Sequence, residues 1–239
     1  MGRIVISENV SLDGVIQDPA GDEGYERGGW IGRIAALPEL AKVTLDEALG
    51  SEALLLGRRS YEWFAARWPS RSGELADRLN SLPKYVVSST LANPGWNNSI
   101  VLKGDAVNAV SRLKQELNGE INVPASFQLV HTLIEHDLVD ELRLKIFPVV
   151  LGAGARLFGE TSDKKPMRLV DTRTIGHGVA ILTYETVPDA ERESNSASLQ
   201  EQRAAALRRS GRPGKRIESR KRQEGLELHG AQARRDQTG

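Results

Sequence analysis

Short apolar runs alternate with stretches of helical period through the first 150 residues, and this alternation restricts the fold more than any other feature of the chain. Residues 3–7 (RIVIS), 53–56 (ALLL), 85–88 (YVVS), 100–102 (IVL) and 121–123 (INV) read as strands, each bounded by turn-forming or polar residues. Residues 38–49 open with Pro38, place apolar side chains at 40, 41, 45, 48 and 49, and are followed by Gly50, which is helix punctuation. Helices are likewise predicted to begin at 60–66, to span 105–116 with Asp105 as N-cap, and to span 126–135 with Ser126 as N-cap. Alternation of this kind builds a mainly parallel sheet covered by helices on both faces. The finish is strand-rich instead, with 142–151 (LRLKIFPVVL) and 179–186 (VAILTYET), and predicts an antiparallel edge.

A parallel sheet binds ligands beyond the carboxyl ends of its strands, where loops lead into helix N-termini. Two such exits carry anion-friendly groups. Leu56 is followed by Gly57, Arg58, Arg59 and Ser60, so a helix N-terminus and two guanidinium forks suit a phosphate. Val87 is followed by Ser88, Ser89 and Thr90, three hydroxyls able to bond phosphate or ribose. Together they suit a dinucleotide, and the two arginines favour one with a 2′-phosphate. Read singly, Arg58 and Arg59 are surface charges and the hydroxyl run is a turn.

Other segments read more plainly. The loop from Asp13 to Trp30 holds five further glycines, at 14, 21, 24, 28 and 29, and long loops of this composition are lids or disordered segments. Gly152-Ala153-Gly154 follows the strand-rich region and reads as a tight turn, since a dinucleotide fingerprint needs a βαβ setting. His131, His136, His177 and His229 lack metal-ligand spacing, so no metal is assigned. The acids of HDLVDEL, residues 136–142, read as solvated charges between a helix and a strand.

Composition bounds what remains. The chain has no cysteine, which excludes disulfides and thiolate chemistry. Residues 188–239 carry 12 Lys/Arg against 8 Asp/Glu, whereas 1–187 carry 20 against 24, and all twelve aromatic residues lie at or before Tyr184. The expectation is a folded domain over 1–187 and a charged, disordered tail over 188–239 that cannot bury enough apolar surface to order itself. Neither a signal peptide nor a membrane span is expected, so a cytoplasmic location is the default. The basic run at 208–222 offers an RNA- or DNA-tethering function, which the absence of aromatics for stacking makes the weaker reading.

Taken in order, ISENVSLDGVI, LLLGRRSYEWF, KYVVSST and FQLVHTLIEHDLVDELRLKIFPVVLGAGARLF resemble the dihydrofolate reductase-like superfamily, and specifically the C-terminal reductase domain of the bifunctional deaminase-reductase of riboflavin biosynthesis. The resemblance covers residues 3–187. It implies a mainly parallel eight-stranded α/β sheet, NADPH as cofactor, hydride transfer to a carbonyl or imine of a small heterocycle, and a homodimer. It implies cofactor contacts from Gly57, Arg58, Arg59 and Ser60, from Ser88, Ser89 and Thr90, and from Ala125 and Ser126. It sets Ser11, Leu12, Asp13 and Gly14 in the first active-site loop.

Asp13 is the expected catalytic polar group, with Glu39 on the following helix as second candidate. Where the family carries a Gly-Gly or Gly-Ser pair at the pyrophosphate, this chain has Pro124-Ala125-Ser126; proline removes an N–H and alanine adds a Cβ. Alternatives are a dihydrofolate- or pteridine-reducing enzyme, and a non-catalytic nucleotide-binding protein with a nucleic-acid-tethering tail.

Overall fold

The structure, a computed structural model, describes residues 1–176 and 178–188. Apart from Pro188, the tail expected over 188–239, with its tethering segment, lies outside the described residues, as do His177 and His229. The strands are β1 (Arg3–Ser11), β2 (Ser51–Gly57), β3 (Lys84–Val87), β4 (Ser99–Leu102), β5 (Glu120–Pro124), β6 (Glu141–Phe147), β7 (Met167–Ile175) and β8 (Val179–Thr186). The helices are α1 (Pro38–Gly50), α2 (Arg58–Ala65), α3 (Glu74–Ser81), α4 (Ala106–Glu116) and α5 (Phe127–Glu135).

All eight strands form one sheet in the order β4-β3-β2-β5-β1-β6-β8-β7. The first six are parallel to one another, while β8 runs antiparallel to β6 and to β7. This is the expected α/β architecture with its antiparallel edge.

The pleat of β1 divides the core. Ile4 and Ile6 point to one face, where α4 and α5 bring Val110, Leu113, Val130 and Leu133 into one buried cluster with Leu55, Ile121 and Val123. On the other face Leu54, Leu56 and Val86 meet Tyr61 of α2 and Leu79 of α3, and Leu40 and Val43 of α1 meet Phe147 and Ile181. A single strand residue therefore decides which helical layer its side chain enters. At about 25 cal/mol per Å² of apolar surface, two-faced burial of this kind is the main term holding the sheet.

Several boundaries differ from the sequence reading for identifiable reasons. Gly50 is the last residue of α1, and Ser51 caps it. The strand expected over 142–151 stops at Phe147, because Pro148 has no N–H to continue the ladder. Strand β1 runs on to Ser11, four residues beyond the apolar run. Two elements, α3 and β7, are additional to the sequence expectation: α3 is short, and β7 is an exposed edge strand with a bulge between Leu169 and Asp171. Asp105 does cap α4, its carboxylate accepting the Asn108 N–H at 2.8 Å.

Candidate active site

The carboxyl ends of β1, β2, β3, β5 and β6 open into a cleft of about 1000 Å³. That volume is at the upper end of what small-molecule and cofactor sites enclose. Gly57, Arg58, Arg59, Ser60, Ser88, Ser89, Thr90, Pro124, Ala125 and Ser126 all line it, so three strand exits separated by up to 69 residues converge on one space.

At the first exit Gly57 leads into α2 with Arg58 and Arg59 as its first two residues, both exposed. The Arg58 guanidinium is 3.3 Å from Glu62, one turn along, an exposed pair that competes little with a ligand. Arg59 acts on Glu23 of the long loop, where burial and the neighbouring Asp18 and Asp22 charges push the carboxyl up and the arginine charge opposes them. At the second exit the Ser88 hydroxyl accepts the Thr90 and Leu91 N–H groups, and Ser89 and Thr90 face solvent.

The third exit departs most from expectation. Ala125 and Ser126 both have left-handed backbone, at φ 53° and 67°. The turn thus keeps a shape that glycine adopts without strain, in two residues that resist it. Ser126 occupies the N-cap position of α5, but its hydroxyl does not cap the helix. It accepts the Gly57 N–H at 3.1 Å and donates to the Pro124 carbonyl at 3.1 Å, bolting the first exit to the third. The positive φ turns the side chain away from the α5 amides.

The loop between β1 and α1 is held by local bonds. The Asp18 carboxylate accepts the N–H groups of Gly21, Asp22, Glu23 and Tyr25, and Asp22 ties the loop to Trp63 of α2 and to Arg67 just beyond it. Gln17, Asp18, Pro19 and Ala20 form one wall of the cleft.

Asp13 lies apart from the lining residues. Its carboxylate accepts the Leu151 and Gly152 N–H groups at 3.0 and 2.8 Å and the Ser11 hydroxyl at 2.7 Å. Those bonds, the Leu151 N–H first, hold its carboxyl down at about 2. Its partner segment is the predicted tight turn: Gly152 and Gly154 have φ of 79° and 116°, and a Cβ on Gly154 would stand 2.7 Å from Val15. Glu39 is exposed in the first turn of α1, again away from the cleft lining. Neither carboxylate faces the space where the three exits meet.

The polar groups on the cleft floor are ones the sequence reading did not select. Ser7 and Glu8 of β1, Asn122 of β5, Lys145 of β6 and Glu47 of α1 all line the cleft. On the α1 face, Lys145 Nζ donates to Ser7 Oγ and to Glu47 Oε2, the latter at 2.9 Å, and Ser7 Oγ donates to Glu47 at 2.8 Å. Glu8 points to the opposite face, beneath the β5–α5 turn. It is 7% exposed, its Oε1 has no hydrogen-bond partner among the described residues, and the Ala125 N–H is directed at its carboxyl. Burial is the largest influence and pushes the Glu8 carboxyl up to about 8; the Lys145 ammonium opposes the rise, and the Glu47 carboxylate adds to it. Asn122 Oδ1 is a second buried oxygen without a partner.

The acids of HDLVDEL lie elsewhere and are structural. Asp140 accepts the Ile4 N–H and the Lys114 ammonium, and Glu141 pairs with Arg3 and Arg143, at the amino ends of the same strands.

A family model described as the RibD C-terminal domain matches residues 3–181. The chain belongs to this family. Among its relatives, the uncharacterized protein YyaP of Bacillus subtilis (strain 168) is 29% identical over 187 residues, covering 76% of this chain and 94% of its own length. A protein of Shewanella sp. PV-4 provisionally assigned to riboflavin biosynthesis superposes with a TM-score of 0.61 at 19% identity, over 78% of this chain and 99% of its own. Dihydrofolate reductase from Enterococcus faecalis, complexed with NADP(H), superposes with a TM-score of 0.53 at 14% identity, over 78% and 97%. The bifunctional deaminase and 5-amino-6-(5-phosphoribosylamino)uracil reductase of Thermotoga maritima gives 0.54 at 14% identity, over 78% of this chain and 57% of its own. At these identities the superpositions establish the fold: a dihydrofolate reductase-like sheet.

Proposed function

We propose that the chain is an NADPH-dependent reductase that delivers hydride to a carbonyl or imine of a small heterocyclic substrate, of the kind reduced in riboflavin biosynthesis. The supporting observation is the convergence of Gly57–Ser60, Ser88–Thr90 and Ala125–Ser126 on one cleft. The residues present suit such a cofactor. Arginines 58 and 59 at the α2 N-terminus offer charge and N–H groups to its phosphates, Ser89 and Thr90 offer hydroxyls to the ribose end, and the left-handed turn offers the amides that open α5. When bound, the nicotinamide supplies the hydride chemistry.

The protein's own residues then bind, orient and exclude water. On the α1 face, Ser7, Lys145 and Glu47 form a cluster suited to hold the polar atoms of a planar substrate. Asp13 serves as a positioning residue, fixing the turn after β1 against residues 151–152. A homodimer in the cytoplasm completes the reading.

Fluorescence titration with NADPH and NADH tests it. Arg58→Ala and Arg59→Ala should each weaken NADPH roughly tenfold while changing NADH little, as loss of a charge-assisted phosphate contact requires. Equal affinity of the wild type for both nucleotides would remove the 2′-phosphate assignment, and binding of neither would remove the reductase. One observation favours a nucleotide-binding protein without turnover: Pro124 offers no N–H and that of Ala125 is turned to Glu8. Tight NADPH binding with no oxidation of it by heterocyclic carbonyls or imines would support that second reading.

A further inference from the structure

Glu8 is the one ionisable side chain on the cleft floor that has no ion-pair partner among the described residues, since Lys145 and Glu47 pair with each other. Lys145, whose ammonium acts on Glu8, bonds to Ser7 and Glu47 on the other face of the sheet. Beneath the β5–α5 turn the Ala125 N–H is directed at the Glu8 carboxyl, and its Oε1 is buried with no hydrogen-bond partner among the described residues. The charged groups that act on it are few. Lys145 of β6 and Glu47 of α1 act from the other face of the sheet, and the cleft-lining residues of α5, namely Phe127, Gln128, Leu129 and Thr132, include no titratable side chain. Arg58 and Arg59 lie across the cleft at the start of α2.

An ionised Glu8 would therefore place a negative charge with no ion-pair partner under the turn that the nucleotide reading assigns to a phosphate. Two anionic groups so placed, partly shielded from water, repel strongly. A neutral Glu8 leaves the field of the α5 N-terminus and of the two arginines to act on the phosphate alone.

Resting on that reading of the cleft, we infer that Glu8 sets the pH range over which the protein binds a phosphate-bearing dinucleotide: as the neutral acid it admits the phosphate at the β5–α5 turn, and as the carboxylate it excludes it. The glycines expected at this turn are absent, and a buried acid governs the site from below. Burial keeps that acid neutral at physiological pH and lets it ionise just above.

The test is NADPH titration, followed by nucleotide fluorescence, at pH 6.5 and pH 9.0 on the wild type and on Glu8→Gln. The glutamine is neutral at both and close in shape. With a carboxyl that ionises near 8, about nine-tenths of the wild type is binding-incompetent at pH 9.0, so its apparent affinity should fall roughly tenfold more than that of Glu8→Gln. A second measurement needs no variant. At pH 8, calorimetric titration of the wild type with NADPH in phosphate and in Tris should give different apparent enthalpies, because binding the neutral form takes up protons.

If both proteins bind NADPH and weaken equally with pH, or if the two buffers agree, the role of Glu8 is overturned while the reductase reading stands. If neither protein binds at either pH, both are overturned together.

Discussion

At the amino ends of β1, β5 and β6, Arg143 holds Glu120 by two bonds of 2.7 and 2.9 Å, Glu141 bridges Arg3 and Arg143, and Lys114 meets Asp140 at 2.6 Å. At the carboxyl end of the same β1 strand sit Glu8, with an oxygen that has no hydrogen-bond partner among the described residues, and two non-glycine residues beyond β5 in left-handed backbone. The named charges of one end are committed to the fold; the other keeps an unpaired acid and a strained turn. The difference separates residues that hold the sheet from residues that are available to a ligand, and it does so within side chains of the same types. Structural ion pairs are costly to break because a buried partner is left behind, whereas groups already unpaired cost little to replace.

The largest effect should come from breaking the paired end. Arg143→Ala strands Glu120 beside a half-paired Glu141 and should destabilise by about 3 kcal/mol or more in urea unfolding, with unchanged NADPH affinity in the protein that remains folded. A loss under about 1 kcal/mol would show that the two ends do not differ as described.

Next comes Glu8→Gln, whose effect has the opposite sign. The folded-state value of about 8 lies above the unfolded one, so the stability linked to this group is fully present below the unfolded value and is lost as pH rises toward 8. The variant should match the wild type near pH 4 and exceed it by a few kcal/mol at pH 8, seen as a difference between two stability profiles across pH. Parallel profiles would mean that the carboxyl is compensated after all. Smallest is Ala125→Gly, which relieves the left-handed strain and should raise stability by about 0.5–1 kcal/mol in thermal unfolding. A decrease would mean that the alanine Cβ packs usefully in the turn.

Much of the scaffold was legible from periodicity, because buried parallel strands and amphipathic helices impose it on the sequence. The strand exits at Gly57 and Ser88 followed from that scaffold by a general rule of parallel sheets. The floor did not. Glu8 lies one residue past the apolar run RIVIS, and Lys145 sits in the alternating LRLKIF, where a polar residue facing a cleft carries the same pattern as one facing water. Its partners Ser7 and Glu47 are 138 and 98 residues away, beyond any local signal. The role of the Ser126 hydroxyl escapes the sequence for a related reason: it depends on the sign of one φ angle, which nothing in an Ala-Ser dipeptide announces. Strand β7 escaped because its apolar Leu169 and Val170 are adjacent rather than alternating, at a bulge on an exposed edge.

The bond from the Gly57 amide to the Ser126 hydroxyl joins two walls of the cleft through a single exchangeable proton. That proton can trade with solvent only when the walls part. Its exchange rate in deuterated buffer is thus a clock for cleft opening, readable in the absence of any ligand, and the Ser126→Ala protein supplies the rate at which the clock runs unlatched.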